Sequence, residues 1–144
     1  MSALPPRPLL VIENSDEDLA VLLRALREIG FTRPVLHYSN AERALELLKT
    51  GSVSPAIVLL DLNLEGLDGR GFLKQLKADQ NLESIPVVIF STSNNPNDVD
   101  FCYRNGASGF FIKVMDLQQQ TNSLRALVEY WFGAVLLPQS GSTG

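Results

Sequence analysis

Short runs of unbroken apolar residues alternate with longer stretches in which apolar residues recur every three or four positions. The first run, Pro8-Leu9-Leu10-Val11-Ile12, ends at Glu13-Asn14. A run apolar at every position suits a strand covered on both faces, as in a parallel sheet. Behind it, Leu19, Leu22, Leu23, Leu26 and Ile29 stand at helical spacing, with Ser15 or Asp16 able to cap the helix and Gly30 to stop it. Val35-Leu36-His37-Tyr38 predicts a second strand. Residues 41–50 predict a second helix, with Ala41, Ala44, Leu45 and Leu48 inward and Gly51 past its end.

The third strand, Ala56–Leu60, runs into Asp61. Turn residues follow in Glu65-Gly66-Leu67-Asp68-Gly69, then a helix with Phe72, Leu73 and Leu76 on one side. Pro86-Val87-Val88-Ile89-Phe90 predicts a fourth strand and leads to Ser91-Thr92-Ser93. Asn95-Pro96 opens a helix carrying Val99, Cys102 and Tyr103, since proline suits the first helical position. The fifth strand is Gly109-Phe110-Phe111-Ile112, ending at Lys113. Asp116 can cap a last helix through Trp131, with Leu117, Leu124, Leu127, Val128 and Trp131 as its apolar stripe. Five strands alternating with five helices imply an α/β fold with a parallel sheet, right-handed crossovers and helices on both faces. A flavodoxin-like doubly wound order, 2-1-3-4-5, is the expected arrangement.

Composition narrows the function classes. The 144 residues suit one domain with one good core. With 45% hydrophobic and 19% charged residues, the chain reads as globular rather than disordered. A net charge of -4 argues against a nucleic-acid surface, which needs a clustered basic face. No apolar run approaches the roughly 18 residues a membrane helix needs, and Pro5, Pro6 and Pro8 interrupt any signal-peptide core. Cys102 is the single cysteine, so no internal disulfide or cysteine metal cluster can form. A cytoplasmic location is expected.

The chemistry gathers at the strand ends. Asp61 follows a strand, where aspartate commonly serves as a turn or cap residue. In a 2-1-3-4-5 sheet, however, its neighbours are Glu13 and Asn14 from strand one, Ser91 from strand four and Lys113 from strand five. All converge on the crevice where such sheets place ligands. Two carboxylates, an amide, a hydroxyl and an ammonium suit a hard divalent cation beside a phosphoryl group. Asp61 can itself act as the nucleophile.

These residues resemble the receiver domain of two-component response regulators, over roughly residues 8 to 132. Ile57-Val58-Leu59-Leu60-Asp61-Leu62-Asn63 looks like the phosphoacceptor strand, with Asp68-Gly69 as its following turn. Pro86-Val87-Val88-Ile89-Phe90-Ser91 looks like the strand ending in the switch hydroxyl. Gly106-Ala107-Ser108-Gly109-Phe110-Phe111-Ile112-Lys113 matches the segment with the switch aromatic and the lysine. The pieces are weak singly; their order and spacing are specific.

The resemblance implies that Asp61 takes a phosphoryl group from a sensor histidine kinase, with Mg²⁺ as cofactor. Asn14, Asp61 and the Asn63 carbonyl would contact the metal, and Glu13 would act mostly through water. Ser91 and Lys113 would hold the phosphoryl oxygens, Phe110 would read out the shift, and Asn63 and Ser93 would tune access of hydrolytic water. Any catalysis would be limited to the chain's own phosphorylation and dephosphorylation. Its output would be contact with a downstream protein.

Three positions depart from the family pattern. Asn14 stands where the family usually has an aspartate ligand, so weaker metal binding is expected. Val114 follows Lys113 where proline is common, which disfavours a cis bond costing about 3 kcal/mol before a non-proline residue. Glu65 replaces a frequent loop proline. Asn14 and Val114 keep open a second reading, a pseudo-receiver that interacts without phosphorylation. A flavodoxin-type cofactor enzyme fits poorly, because Glu13-Asn14-Ser15-Asp16-Glu17 is acidic where a phosphate-cradling loop needs glycines. His37, on strand two away from the crevice, reads as structural or solvated, and Cys102 as a small packed hydrophobe.

The ending, Glu129-Tyr130-Trp131-Phe132-Gly133-Ala134-Val135-Leu136-Leu137-Pro138, is too apolar for a solvated tail. It either folds back on its own chain or buries against a partner. It is similar to the end of single-domain response regulators that partner bacterial phytochromes, several of which form homodimers. That likeness implies a homodimer with Trp131, Phe132, Val135, Leu136 and Leu137 as interface candidates. The expected organisation is an N-terminal extension at 1–7, a receiver domain at 8–132 and a tail at 133–144.

Overall fold

The computed structural model describes residues 7–138. Five strands, β1 (Leu9–Ile12), β2 (Val35–Tyr38), β3 (Ile57–Leu60), β4 (Val87–Ser91) and β5 (Gly109–Ile112), alternate with five α-helices. The helices are α1 (Asp16–Glu28), α2 (Ala41–Lys49), α3 (Gly69–Ala78), α4 (Pro96–Arg104) and α5 (Leu117–Glu129). All strand pairings are parallel and the order is β2-β1-β3-β4-β5, the expected flavodoxin-like arrangement. Strand β4 runs one residue further than its apolar run, so Ser91 belongs to the ladder and pairs with Ile112.

Successive strand residues point to opposite faces, which divides the core in two. Leu10, Ile12, Val58, Leu60, Val87 and Ile89 pack under α2, α3 and α4 around Leu48, Phe72, Leu73, Leu76 and Cys102. Leu9, Val11, Ile57, Leu59, Val88 and Phe90 pack under α1 and α5 around Leu22, Leu26, Leu124 and Leu127. Phe72 is fully buried, and burial of such a side chain contributes about 1.5–3 kcal/mol. Each α-helix begins at a side-chain cap: Ser15, Asn40, Asp68, Asn95 and Asp116 all accept from backbone N–H groups two or three residues further on.

On α4, Tyr103 is exposed and Phe101 packs against the core beside Cys102. On α5, one inward assignment read from helical spacing is corrected. Leu117 is also exposed, while Gln120 and Thr121 fill inward positions of α5. Leu117 is the first residue of α5, and Tyr103 is the last but one of α4.

The last helix also ends sooner than its stripe suggests. After Glu129 the chain passes into a π-helical turn, Tyr130–Ala134, closed by Val135 N–H donating to the Tyr130 carbonyl at 3.2 Å. The wider turn rotates Trp131 and Phe132 together onto the α1 and α5 side of the sheet. Phe132 meets Phe31 edge-on at 5.1 Å, and the Arg33 guanidinium covers its ring at 5.0 Å. Beyond it, Arg7 Nη1 donates to the Pro138 carbonyl at 2.6 Å while its other nitrogens hold Ser54 and Pro55. The first part of the tail therefore folds back on its own chain. Val135 and Leu137 are half-buried, and Leu136 is 99% exposed. Residues 1–6 of the expected extension and 139–144 of the expected tail lie outside the described residues.

Candidate functional site

Backbone hydrogen bonds continue one residue past the strands and lock the polar side chains in place. Glu13 N–H donates to the Tyr38 carbonyl, Asp61 N–H to Ile12 and Lys113 N–H to Ser91, at 3.0, 3.0 and 2.8 Å. With those amides satisfied, the three side chains are presented at the carboxyl edge of the sheet. Asp61 is further confined from below. A Cβ on Gly69 would lie 2.3 Å from the Asp61 carbonyl oxygen and 2.7 Å from Leu62 Cα. Only glycine lets the first turn of α3 approach that strand end so closely.

Lys113 stands at the centre. Its Nζ donates to Glu13 Oε1 and, at 2.9 Å, to Asp18 Oδ2, and lies 3.5 Å from Asp61 Oδ2. The side chains of Lys113, Glu13 and Asp61 are only 8%, 6% and 7% exposed. Burial pushes the Glu13 carboxyl up and the Asp61 charge adds to this, against the lowering by its bond to Lys113. Burial alone would lower Lys113, but its bonds to Glu13 and Asp18 outweigh that and hold the ammonium above its ordinary value. The causes differ: burial leads at Glu13, whereas at Lys113 three carboxylates face one ammonium and hold its proton more tightly.

Asp18 was not legible as a site residue, although Ser15-x-x-Asp18 has the spacing of a capping motif. Its N–H is indeed capped by Ser15 Oγ at 3.2 Å. The Ser15 N–H, which such a motif would leave for Asp18, is instead taken by Glu13 Oε2 at 3.1 Å, so the Asp18 carboxylate turns to Lys113. Glu13 is bonded on both oxygens, to Ser15 N–H and to Lys113.

The other expected residues lie around this cluster. Ser91 is fully buried, and its hydroxyl accepts the Ser93 N–H at 3.2 Å within its own loop. Asn14 and Asn63 are exposed on the rim, and Asn63 N–H points to Asp61 Oδ1 at 3.3 Å. Phe110 is half-buried against the α2, α3 and α4 core. Ser93 Oγ donates to Asp98 Oδ2 at 2.6 Å, and Asp98 Oδ1 receives the Arg70 guanidinium at 2.7 Å. Nothing in the sequence pattern links Arg70 with Asp98. His37, read as remote, touches the site's backbone: its Nε2 bonds the Glu13 carbonyl at 2.8 Å.

The model of the response regulator receiver domain matches residues 9–125. The chain belongs to this family. Its sequence is 30% identical over 137 residues to the probable methanogenesis regulatory protein FilR2 of Methanothrix harundinacea, covering 92% of this chain and 88% of that one. It is 28% identical over 139 residues to the response regulator Rcp1 of Synechocystis, covering 93% and 95%. The Mn²⁺-bound crystal structure of Rcp1 superposes with a TM-score of 0.84, covering 92% of this chain and 99% of that one. The phosphorylated cyanobacterial phytochrome response regulator RcpA gives 0.85 at 28% identity, with the same coverage.

The donor set of this receiver fits a hard divalent cation. Glu13 and Asp61 are buried carboxylates, the Asn14 amide is oxygen-bearing, and the crevice carries two uncompensated negative charges. Among the described residues no three His, Cys, Asp or Glu side chains converge as a metal cage. Mg²⁺ is usually held by one or two carboxylates and keeps several waters, and Glu13 and Asp61 supply that number. Among the described residues no helix is long and apolar enough to cross a membrane.

Proposed function

We propose that this receiver accepts a phosphoryl group on Asp61 from a sensor histidine kinase and signals through contact with another protein. The observation that carries the reading is the buried triangle of Glu13, Asp61 and Lys113 at the carboxyl edge of the sheet. An Asp61 oxygen would attack phosphorus as the bond to the kinase imidazole breaks, and the imidazole nitrogen keeps the electron pair. Lys113 needs to shift only slightly from its 3.5 Å approach to Asp61 to meet a phosphoryl oxygen. Ser91 would exchange the Ser93 N–H for the same group, and Phe110 would register the change. Asn63 and Ser93 would tune the approach of water to Asp61.

Mg²⁺ would be held by Asp61, Glu13, the Asn14 amide and the Asn63 carbonyl, and would supply positive charge to the transferring group. The likeness to Rcp1 and RcpA supports a phytochrome-type kinase as the donor. A homodimer is supported by Leu136, which projects fully exposed between the half-buried Val135 and Leu137.

Incubation with Mg²⁺ and a small phosphodonor or cognate kinase tests the reading. Wild type should be labelled and Asp61→Asn should not. Absence of labelling in both would favour a pseudo-receiver that binds partners without phosphorylation, a reading supported by the neutral, exposed Asn14.

A further inference from the structure

A closed ring of hydrogen bonds joins helix α1 to the crevice. Glu13 Oε2 accepts from Ser15 N–H at 3.1 Å, and Ser15 Oγ accepts from Asp18 N–H at 3.2 Å. Asp18 Oδ2 then accepts from Lys113 Nζ at 2.9 Å, and Lys113 returns to Glu13 Oε1. An ammonium has three protons. Two are committed to Glu13 and Asp18, and the 3.5 Å separation leaves Asp61 without a well-formed hydrogen bond from Lys113.

The charges explain why this matters. A cation entering the crevice competes with Lys113 for Glu13 and Asp61, and Asn14 brings no charge to assist it. Asp18 sits in the first turn of α1, where the helix dipole favours a carboxylate, and its side chain is 44% exposed. From there it holds the ammonium at the outer side of the crevice.

We propose that Asp18 is a positioning residue: by holding Lys113 it keeps Asp61 and part of Glu13 available to a divalent cation, supplying from α1 the negative charge that Asn14 lacks. Without it, the freed ammonium proton turns to Asp61 and closes an ion pair that excludes the cation. This rests on the reading of the crevice as a Mg²⁺ site. Asp18 acts through Lys113 and not as a ligand, so its effect must vanish when Lys113 is absent.

The test is calorimetric titration of the full chain with Mg²⁺, for wild type, Asp18→Asn, Asp18→Glu, Lys113→Met and the Asp18→Asn/Lys113→Met double variant. Asp18→Asn should weaken binding about tenfold, the lower end for residues that orient a metal site from outside it. Asp18→Glu should recover most of that loss. In the Lys113→Met background, Asp18→Asn should change affinity less than about twofold, because the coupling is between these two residues. Melting temperatures of the same samples separate this from a loss of folding, since a merely structural role would not depend on Lys113. Equal affinities for wild type and Asp18→Asn would overturn the proposal, as would a tenfold loss that persists without Lys113. No Mg²⁺ binding by wild type would instead overturn the cation reading, and the role of Asp18 with it.

Discussion

Lys113→Met removes the ammonium while keeping an unbranched stem of similar length, and so isolates its charge. It leaves Glu13 and Asp61 buried, 6% and 7% exposed, with no cation between them. Breaking a buried pair by removing one partner costs about 3–5 kcal/mol. Here the cost has a ceiling, because Glu13 can escape it by taking a proton. That escape costs about 1.36 kcal/mol per pH unit above the unfolded glutamate value of about 4.3. The ceiling is thus about 4.4 kcal/mol at pH 7.5 and about 1.6 kcal/mol at pH 5.5.

The sign follows from Glu13, whose carboxyl is already held above its ordinary value by burial and by Asp61. Loss of Lys113 raises it further. A group raised in the folded state keeps its contribution at low pH and loses it as pH rises through the folded value. The variant should therefore fall behind wild type by about 3–4 kcal/mol at pH 7.5 and by about 1–1.5 kcal/mol at pH 5.5. Urea unfolding at the two pH values measures the difference. An equal loss at both would refute the argument that Lys113 neutralises a buried carboxylate.

Three further outcomes are expected. Gly69→Ala should cost about 2–3 kcal/mol and reduce labelling of Asp61, since its Cβ would meet backbone atoms of Asp61 and Leu62 that cannot give way; an unchanged melting temperature would contradict that close approach. The Ser93 hydroxyl and then Arg70 hold the Asp98 carboxyl below its ordinary value, so its contribution is present above an unfolded value of about 3.9 and is lost as pH falls through the folded one. The melting-temperature gap between wild type and Asp98→Asn should accordingly close under acid conditions, and a gap constant with pH would count against the clamp. Light scattering should report a dimer for the full chain and a monomer after truncation beyond Gly133, whereas a monomer in both cases would remove the tail as an interface.

The fold was legible because its signals are local. Apolar runs mark strands buried on both faces, three-to-four periodicity marks the helices, and capping residues and glycines mark their ends. The positions of Glu13, Asp61, Ser91 and Lys113 followed from those strands alone, since parallel strands all deliver their next residue to the same edge. Periodicity failed at the start of α5, where Leu117 is exposed.

What tertiary structure decided are the pairings between distant side chains. Lys113 meets Asp18 across 95 residues and Glu13 across 100, and Arg70 meets Asp98 across 28. No periodicity encodes which acceptor an ammonium chooses; that depends on distance, burial and competing partners once the sheet is assembled. The tail was equally open in sequence, and only the π turn at Tyr130–Ala134, with Phe132 against Phe31, decides that its aromatics serve this chain's own core. Local pattern determined where the chemistry stands. The three-dimensional contacts of Lys113 determine how much of it is free to act.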